Sequence, residues 1–135
     1  MLSEAVLDPK SIVVVGGSND VSKPGGKVIA NLLDHDFRGQ LFAVNPKERS
    51  VQGIPCFDDC SALPNVDLAI IAVASRFVEE TIRVLAYEKN CKAFILFSAG
   101  FSETGEEGRS LEQKITAIVN DVNGTLIGPN CIGVI

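Results

Sequence analysis

Apolar residues along the chain gather in short unbroken runs, separated by longer stretches where they recur at helical spacing. Five runs rich in β-branched and other apolar residues occupy positions 11–15, 41–44, 68–73, 93–97 and 125–127. They are continuous rather than alternating, as parallel strands buried on both faces require. Between most of them the apolar positions form stripes three and four residues apart. Val28, Ile29, Leu32 and Leu33 follow Gly26 in this way, and Val78, Ile82 and Leu85 lie on one face of a second helix that begins near Arg76. Leu111, Ile115, Ile118 and Val122 stripe a third helix. Ahead of it, Thr104-Gly-Glu-Glu107 is a capping-box pattern, in which the hydroxyl and Glu107 satisfy free backbone amides. The connection 45–67 is less regular. Gln52-Gly-Ile-Pro55 reads as a turn, and 58–63 has room for only a short helix before Pro64-Asn65.

Alternation of strand and helix implies an α/β fold: a Rossmann-like doubly wound parallel sheet of about five strands, with helices on both faces and right-handed crossovers. The expected strand order is 3-2-1-4-5, which places a ligand where strands one and four diverge. A length of 135 residues suits one domain with one core. Because residues 125–135 end in apolar sequence, the whole chain 1–135 is expected to be one domain of a longer multidomain protein.

The chemistry starts at the end of the first run. Ile12-Val-Val-Val15 stops at Gly16-Gly17-Ser18, crosses a polar loop with Lys23-Pro24, and resumes at Gly25-Gly26 as a helix. A parallel strand that hands a glycine turn to a helix N-terminus is a means of holding phosphate. The compact G-x-G-x-x-G spacing is absent, so the loop is longer and offers a diphosphate backbone amides and one lysine. The end of the second run separates candidate ligands. Dinucleotide-binding domains place Asp or Glu there to hold ribose hydroxyls, whereas this chain has Val44-Asn45-Pro46-Lys47. A lysine attracts a ribose phosphate as a point charge where a carboxylate would repel it. Coenzyme A carries a 3′-phosphate, NAD carries none, and the 2′-phosphate of NADP leaves that cofactor open. Taken alone, Lys47 reads equally well as a solvated turn residue. The other strand ends are small or polar: Ala72-Val73-Ala74-Ser75, Ser98-Ala99-Gly100-Phe101-Ser102 and Gly128-Pro129-Asn130. Each by itself is ordinary loop chemistry, but together they frame one crevice. Asn130 offers both donor and acceptor to the amides of a pantetheine arm.

Composition narrows the classes. The net charge is −5 with no basic run, which argues against a nucleic-acid partner. No apolar stretch reaches the ~20 residues of a membrane span. Met1-Leu2-Ser3-Glu4 lacks the basic start of a signal peptide, so no membrane association and a cytoplasmic location are expected. Cys56, Cys60, Cys91 and Cys131 match no metal-ligand spacing and are read as reduced thiols, with no metal and no disulfide. His35, the sole histidine, falls at the end of the first helix away from the glycine loop. Ser98 and Ser102 have no histidine base, and Asp58-Asp59 and Glu106-Glu107 read as helix-start charges. No catalytic residue is assigned: the domain is expected to bind rather than react.

Motifs across the chain add a resemblance. Asp8-Pro9-Lys10-Ser11-Ile12 leads into Gly16-Gly17-Ser18, followed by Lys23-Pro24-Gly25, Asn45-Pro46-Lys47 and Val66-Asp67-Leu68-Ala69-Ile70. Ser98-Ala99-Gly100-Phe101-Ser102-Glu103 and Gly128-Pro129-Asn130-Cys131-Ile132-Gly133 complete the series. In this order they resemble the N-terminal CoA-binding domain of ADP-forming (NDP-forming) acyl-CoA synthetases, and more distantly the α-subunit of succinyl-CoA ligase. The resemblance implies an acid–thiol ligase that interconverts acyl-CoA, ADP and phosphate with a free acid, CoA and ATP. It also implies further domains or a subunit carrying a phosphohistidine and an ATP-grasp fold. That histidine has no match here, so the isolated domain is expected to be inactive. By motif, Ser18, Lys23 and Gly25 would hold CoA phosphates, Asn45 and Lys47 would meet the 3′-phosphate end, and Val73, Ala74, Ser98, Ala99 and Asn130 would line the pantetheine path. Gly16, Gly17, Pro24, Val44, Pro46 and Gly100 flank them and complete the candidate site. A stand-alone regulatory CoA-binding protein, an acetyltransferase fusion and an NAD(P)-binding oxidoreductase domain are the other readings. The last lacks both the acidic residue after strand two and the compact glycine fingerprint.

Overall fold

The computed structural model describes residues 9–35, 37, 39–97 and 106–127. Strands β1 (Ser11–Val15), β2 (Gln40–Val44), β3 (Ser50–Val51), β4 (Ile54–Phe57), β5 (Leu68–Ile71), β6 (Ala93–Leu96) and β7 (Thr125–Ile127) form one sheet. Helices α1 (Pro24–Asp34), α2 (Ser75–Glu88) and α3 (Glu106–Asp121) connect them, with a single 3-10 turn at Cys60–Ala62. The sheet order is β3-β4-β2-β1-β5-β6-β7, and every pairing is parallel except β3 with β4.

This is the expected doubly wound sheet with one correction. The parallel strands read 3-2-1-4-5-6 only when Ile54–Phe57 counts as the third. The run beginning at Leu68 is therefore the fourth and lies beside β1, where Ile12 pairs with Leu68. The sequence hid β4 because it is short and contains Pro55, and proline demotes an apolar run. Here Pro55 sits opposite Ser50 in a two-pair antiparallel hairpin at the sheet edge, where the loss of an N–H is tolerated. The hairpin turns at Gln52 and Gly53, both at positive φ (50° and 86°), the geometry of a two-residue turn that matches strand twist.

Alternation of side chains across the sheet builds two cores. Val13, Val15, Ala69, Ile71, Phe94 and Leu96 face α2 and α3, which contribute Val78, Ile82, Leu85, Ile115, Ile118 and Val119. Ile12, Val14, Leu41, Ala43, Leu68 and Ile70 face the opposite way, where Ile29 of α1 is fully buried. Helices on both faces explain why β1 is buried at all five positions and why its sequence does not alternate. On the outer surface, the Tyr87 hydroxyl donates to Asp121 Oδ2 at 2.9 Å and ties α2 to α3. The expected cap of α3 at Thr104 lies outside the described residues.

What matters for the site is how α1 and α2 begin. Pro24 occupies the first turn of α1, where a missing N–H costs nothing, and neither Lys23 nor Ala74 caps its helix with a side chain. Both helices start at the carboxyl edge of the sheet, on either side of the divergence of β1 and β5. Their positive ends face the place where the topology opens. Among the described residues, no helix is long and apolar enough to cross a membrane.

Candidate functional site

The glycine turn after β1 is held from three sides. Gly16 N–H donates to Val44 O at 2.9 Å, which fastens the turn to the end of β2. Its φ of +88° suits glycine alone, and an added Cβ would stand 2.5 Å from Ala72 O after β5. A Cβ on Gly25 would in turn overlap the carbonyl oxygen of Gly16, so the first turn of α1 rests directly on the glycine turn.

Asn45 connects this turn to the lysine beyond it. Its Nδ2 donates to Gly17 O at 3.0 Å, and its Oδ1 accepts from Lys47 N–H at 2.8 Å. Asn45, expected to meet ligand directly, lines the cleft and also acts as a brace. It forms an Asx turn that sets the backbone of Lys47 while gripping the glycine loop.

A cleft of about 790 Å³ opens at the divergence of β1 and β5. Of the residues singled out in the sequence, Gly16, Lys23, Val44, Asn45, Pro46, Lys47, Val73 and Ala74 line it together. Gly17 and Gly25 are buried behind its wall. Ser18 turns its hydroxyl to its own loop, accepting from Asp20 N–H at 2.9 Å. Pro24 is exposed at the start of α1 outside the lining. Ser98, Ala99, Gly100 and Asn130 lie outside the described residues.

The cleft also collects residues that the sequence did not reveal as site residues: Asp58, Asp59, Cys60, Arg76, Phe77 and Thr81. Asp58 and Asp59 partly fit their reading as helix-start charges, since Asp59 precedes the 3-10 turn and its Oδ2 accepts from Ser61 Oγ at 2.8 Å. Lys23, Lys47 and Arg76 bring three cations to the cleft. The ion pair found among the described residues, Arg83 with Glu79 at 3.1 Å, involves none of them. Burial pushes the Cys60 thiol up to about 12, so this cleft residue is a neutral thiol at physiological pH. In the loop after β1, hydrogen bonds from the Ser22 hydroxyl and amide hold the Asp20 carboxyl below the usual carboxylate range.

Another missed residue works at a distance. Gln52, in the β3–β4 turn, donates through Nε2 to Ser18 O (2.8 Å) and Gly26 O (3.0 Å). Its backbone N–H donates to Asn19 Oδ1 at 2.7 Å, and Asn19 Nδ2 donates to Glu48 Oε2 and Ser50 O. The hairpin thus clips the loop from both sides. Gln52-Gly53 is legible as a turn, but nothing local in the sequence ties residue 52 to residue 18.

Among the described residues, no three His, Cys, Asp or Glu side chains are grouped to hold a metal ion. His35 is exposed at the far end of α1, its Nδ1 2.8 Å from Asn31 O. The cleft sets Lys23, Lys47 and Arg76 beside the carboxylates of Asp58 and Asp59.

A doubly wound sheet that opens a cleft at its switch point is the arrangement in which such folds bind nucleotides. The family described as the CoA binding domain matches residues 10–135, and the chain belongs to it. The α-subunit of the ADP-forming acetate–CoA ligase II of Pyrococcus furiosus is 39% identical over 95% of this chain. A trans-feruloyl-CoA synthase of unknown prokaryotic origin is 36% identical over 96% of it. The chain spans 28% and 18% of the lengths of these two relatives. The apo structure of the dinucleotide-forming acetyl-coenzyme A synthetase 1 of Ca. Korarchaeum cryptofilum superposes with a TM-score of 0.84 at 31% identity. That match covers 94% of this chain and 27% of the other. The chain is thus homologous to the N-terminal or α portion of ADP-forming acyl-CoA synthetases.

Proposed function

We propose that this chain is the CoA-binding domain of an NDP-forming acyl-CoA synthetase, an acid–thiol ligase that links acyl-CoA, ADP and phosphate to free acid, CoA and ATP. The observation that carries the ligand is the end of β2. Where a carboxylate would hold a bare ribose, Asn45 fixes the turn of Lys47 at the edge of the cleft. The diphosphate lies along Gly16 and Lys23 at the start of α1, and the 3′-phosphate lies on Lys47. Gly17, Ser18, Pro24 and Gly25 shape the turn, Val44 and Pro46 flank the lysine, and Asn45 braces both. Val73, Ala74, Ser98, Ala99, Gly100 and Asn130 line the pantetheine path. Chemistry belongs to partner domains or a subunit of the longer protein, carrying the phosphohistidine and the ATP-grasp fold, in the cytoplasm.

Calorimetric titration with CoA, dephospho-CoA, NAD and NADP tests this reading. CoA is expected to bind more tightly than dephospho-CoA, and Lys47→Ala to weaken CoA about 10-fold to 100-fold, the loss of one charged hydrogen bond. Dephospho-CoA is expected to lose under threefold. Binding of NAD or NADP with no response to CoA would make the site an oxidoreductase's. Gln52→Ala is expected to weaken CoA and dephospho-CoA equally, by about fivefold, because it loosens the diphosphate loop without touching either charge. A larger loss for CoA would show that Gln52 acts on the 3′-phosphate instead.

A further inference from the structure

We propose that Phe77 is the platform on which the adenine ring of coenzyme A stacks, an inference that rests on the reading of the cleft as a CoA site. Phe77 stands one position before Val78, which the amphipathic pattern of α2 buries completely, and it is itself 50% exposed. At the wall of a cleft, a half-exposed aromatic ring offers a flat apolar face to a ligand. It borders two cavities at once. One is the 790 Å³ cleft, and the other is an adjoining pocket of about 210 Å³ formed with Asp59, Cys60, Glu80, Thr81 and Val84. The Arg76 guanidinium carbon lies 4.8 Å from the ring centroid, a cation over the π-face that strengthens a stacking seat and adds charge beside the ribose phosphate.

The rim of the smaller pocket fits one base. Asp59 and Glu80 offer carboxylate acceptors, and the Thr81 hydroxyl gives its proton to Phe77 O at 2.8 Å, which leaves its lone pairs as acceptors. Acceptors suit the exocyclic amine of adenine and repel the carbonyl that guanine carries at the same place. The pocket therefore selects adenine through its edge while Phe77 holds its face.

The chain contains no tryptophan, so Phe77→Trp introduces a single fluorophore at the platform. Adenosine 3′,5′-bisphosphate and CoA are expected to quench its emission, and 4′-phosphopantetheine to leave it unchanged. Phe77→Ala is expected to weaken CoA about 10-fold to 100-fold while 4′-phosphopantetheine changes by under twofold. Guanosine 3′,5′-bisphosphate is expected to bind the unmodified chain at least about 10-fold more weakly than its adenosine counterpart. Two results overturn the platform while the CoA site stands. One is an equal loss for CoA and 4′-phosphopantetheine in Phe77→Ala, and the other is a Phe77→Trp chain that binds CoA with its emission unquenched. An unmodified chain that fails to bind CoA overturns the CoA reading, and the platform with it.

Discussion

Replacing Gly25 with alanine is expected to abolish measurable CoA binding and to cost about 3 kcal/mol of stability. The added methyl overlaps the Gly16 carbonyl oxygen, a backbone atom that cannot swing aside as a side chain would. Gly16 has little freedom to yield, since its N–H is bonded to Val44 O and it packs against Ala72. Relief requires α1 to lift from the glycine turn, which pulls Gly26 O away from Gln52. Gly53→Ala supplies the contrast. That glycine, unlike Gly25, has positive φ, +86°, but nothing lies within 4 Å of an added Cβ. Only the conformational cost of about 1 kcal/mol applies there. Urea unfolding and calorimetry on the two variants separate the cases. A Gly25→Ala chain with an unchanged unfolding midpoint and unchanged CoA affinity would show that the helix start is not packed as described.

The second large effect is alkaline. Cys60 and Cys91 are buried, and burial pushes both thiols from an ordinary 9.0 up to about 12. Above pH 9 the unfolded chain releases these protons while the folded chain keeps them, so stability falls as pH rises. The contribution is complete below pH 9 and disappears by about pH 12. Each thiol accounts for about 4 kcal/mol over that window. The Cys60 charge is itself among the causes that raise Cys91, so the two losses overlap rather than add, and a marked alkaline decline in stability is expected. Tyr87, raised by its hydrogen bond to Asp121, adds a loss of the same sign. Urea midpoints between pH 7.5 and 11 check this, with Cys60→Ala and Cys91→Ala expected to flatten the alkaline decline. Stability that stays level from pH 9 to 11 would show that the thiolates are accommodated in the fold.

Strands buried on both faces and helices striped on one face were legible because each is a local pattern, as in Val13–Val15 or Val78, Ile82 and Leu85. The β3–β4 hairpin was not, because its strands are two and four residues long and Pro55 interrupts the second. Missing that strand displaced the Leu68 run from its place beside β1. That Gly16, Lys23 and Lys47 would meet at one cleft was legible from strand-end chemistry. Asn45 was visible as a polar group, but its role as a brace depends on where Gly17 O falls. Arg76, Phe77 and Asp59 reach the cleft only through the crossovers that bring α2 and the 3-10 turn together. No spacing in the sequence encodes that meeting.

The same hairpin ends the sheet. β3 offers only Ser50 and Val51 as an edge, and Val51 is buried, so a second chain finds almost no free ladder on which to add a strand. The turn that blunts this edge is the one whose Gln52 fastens the glycine loop. Colloidal behaviour and ligand grip are therefore joined at two residues, and a change in that turn is read twice, once as aggregation and once as affinity.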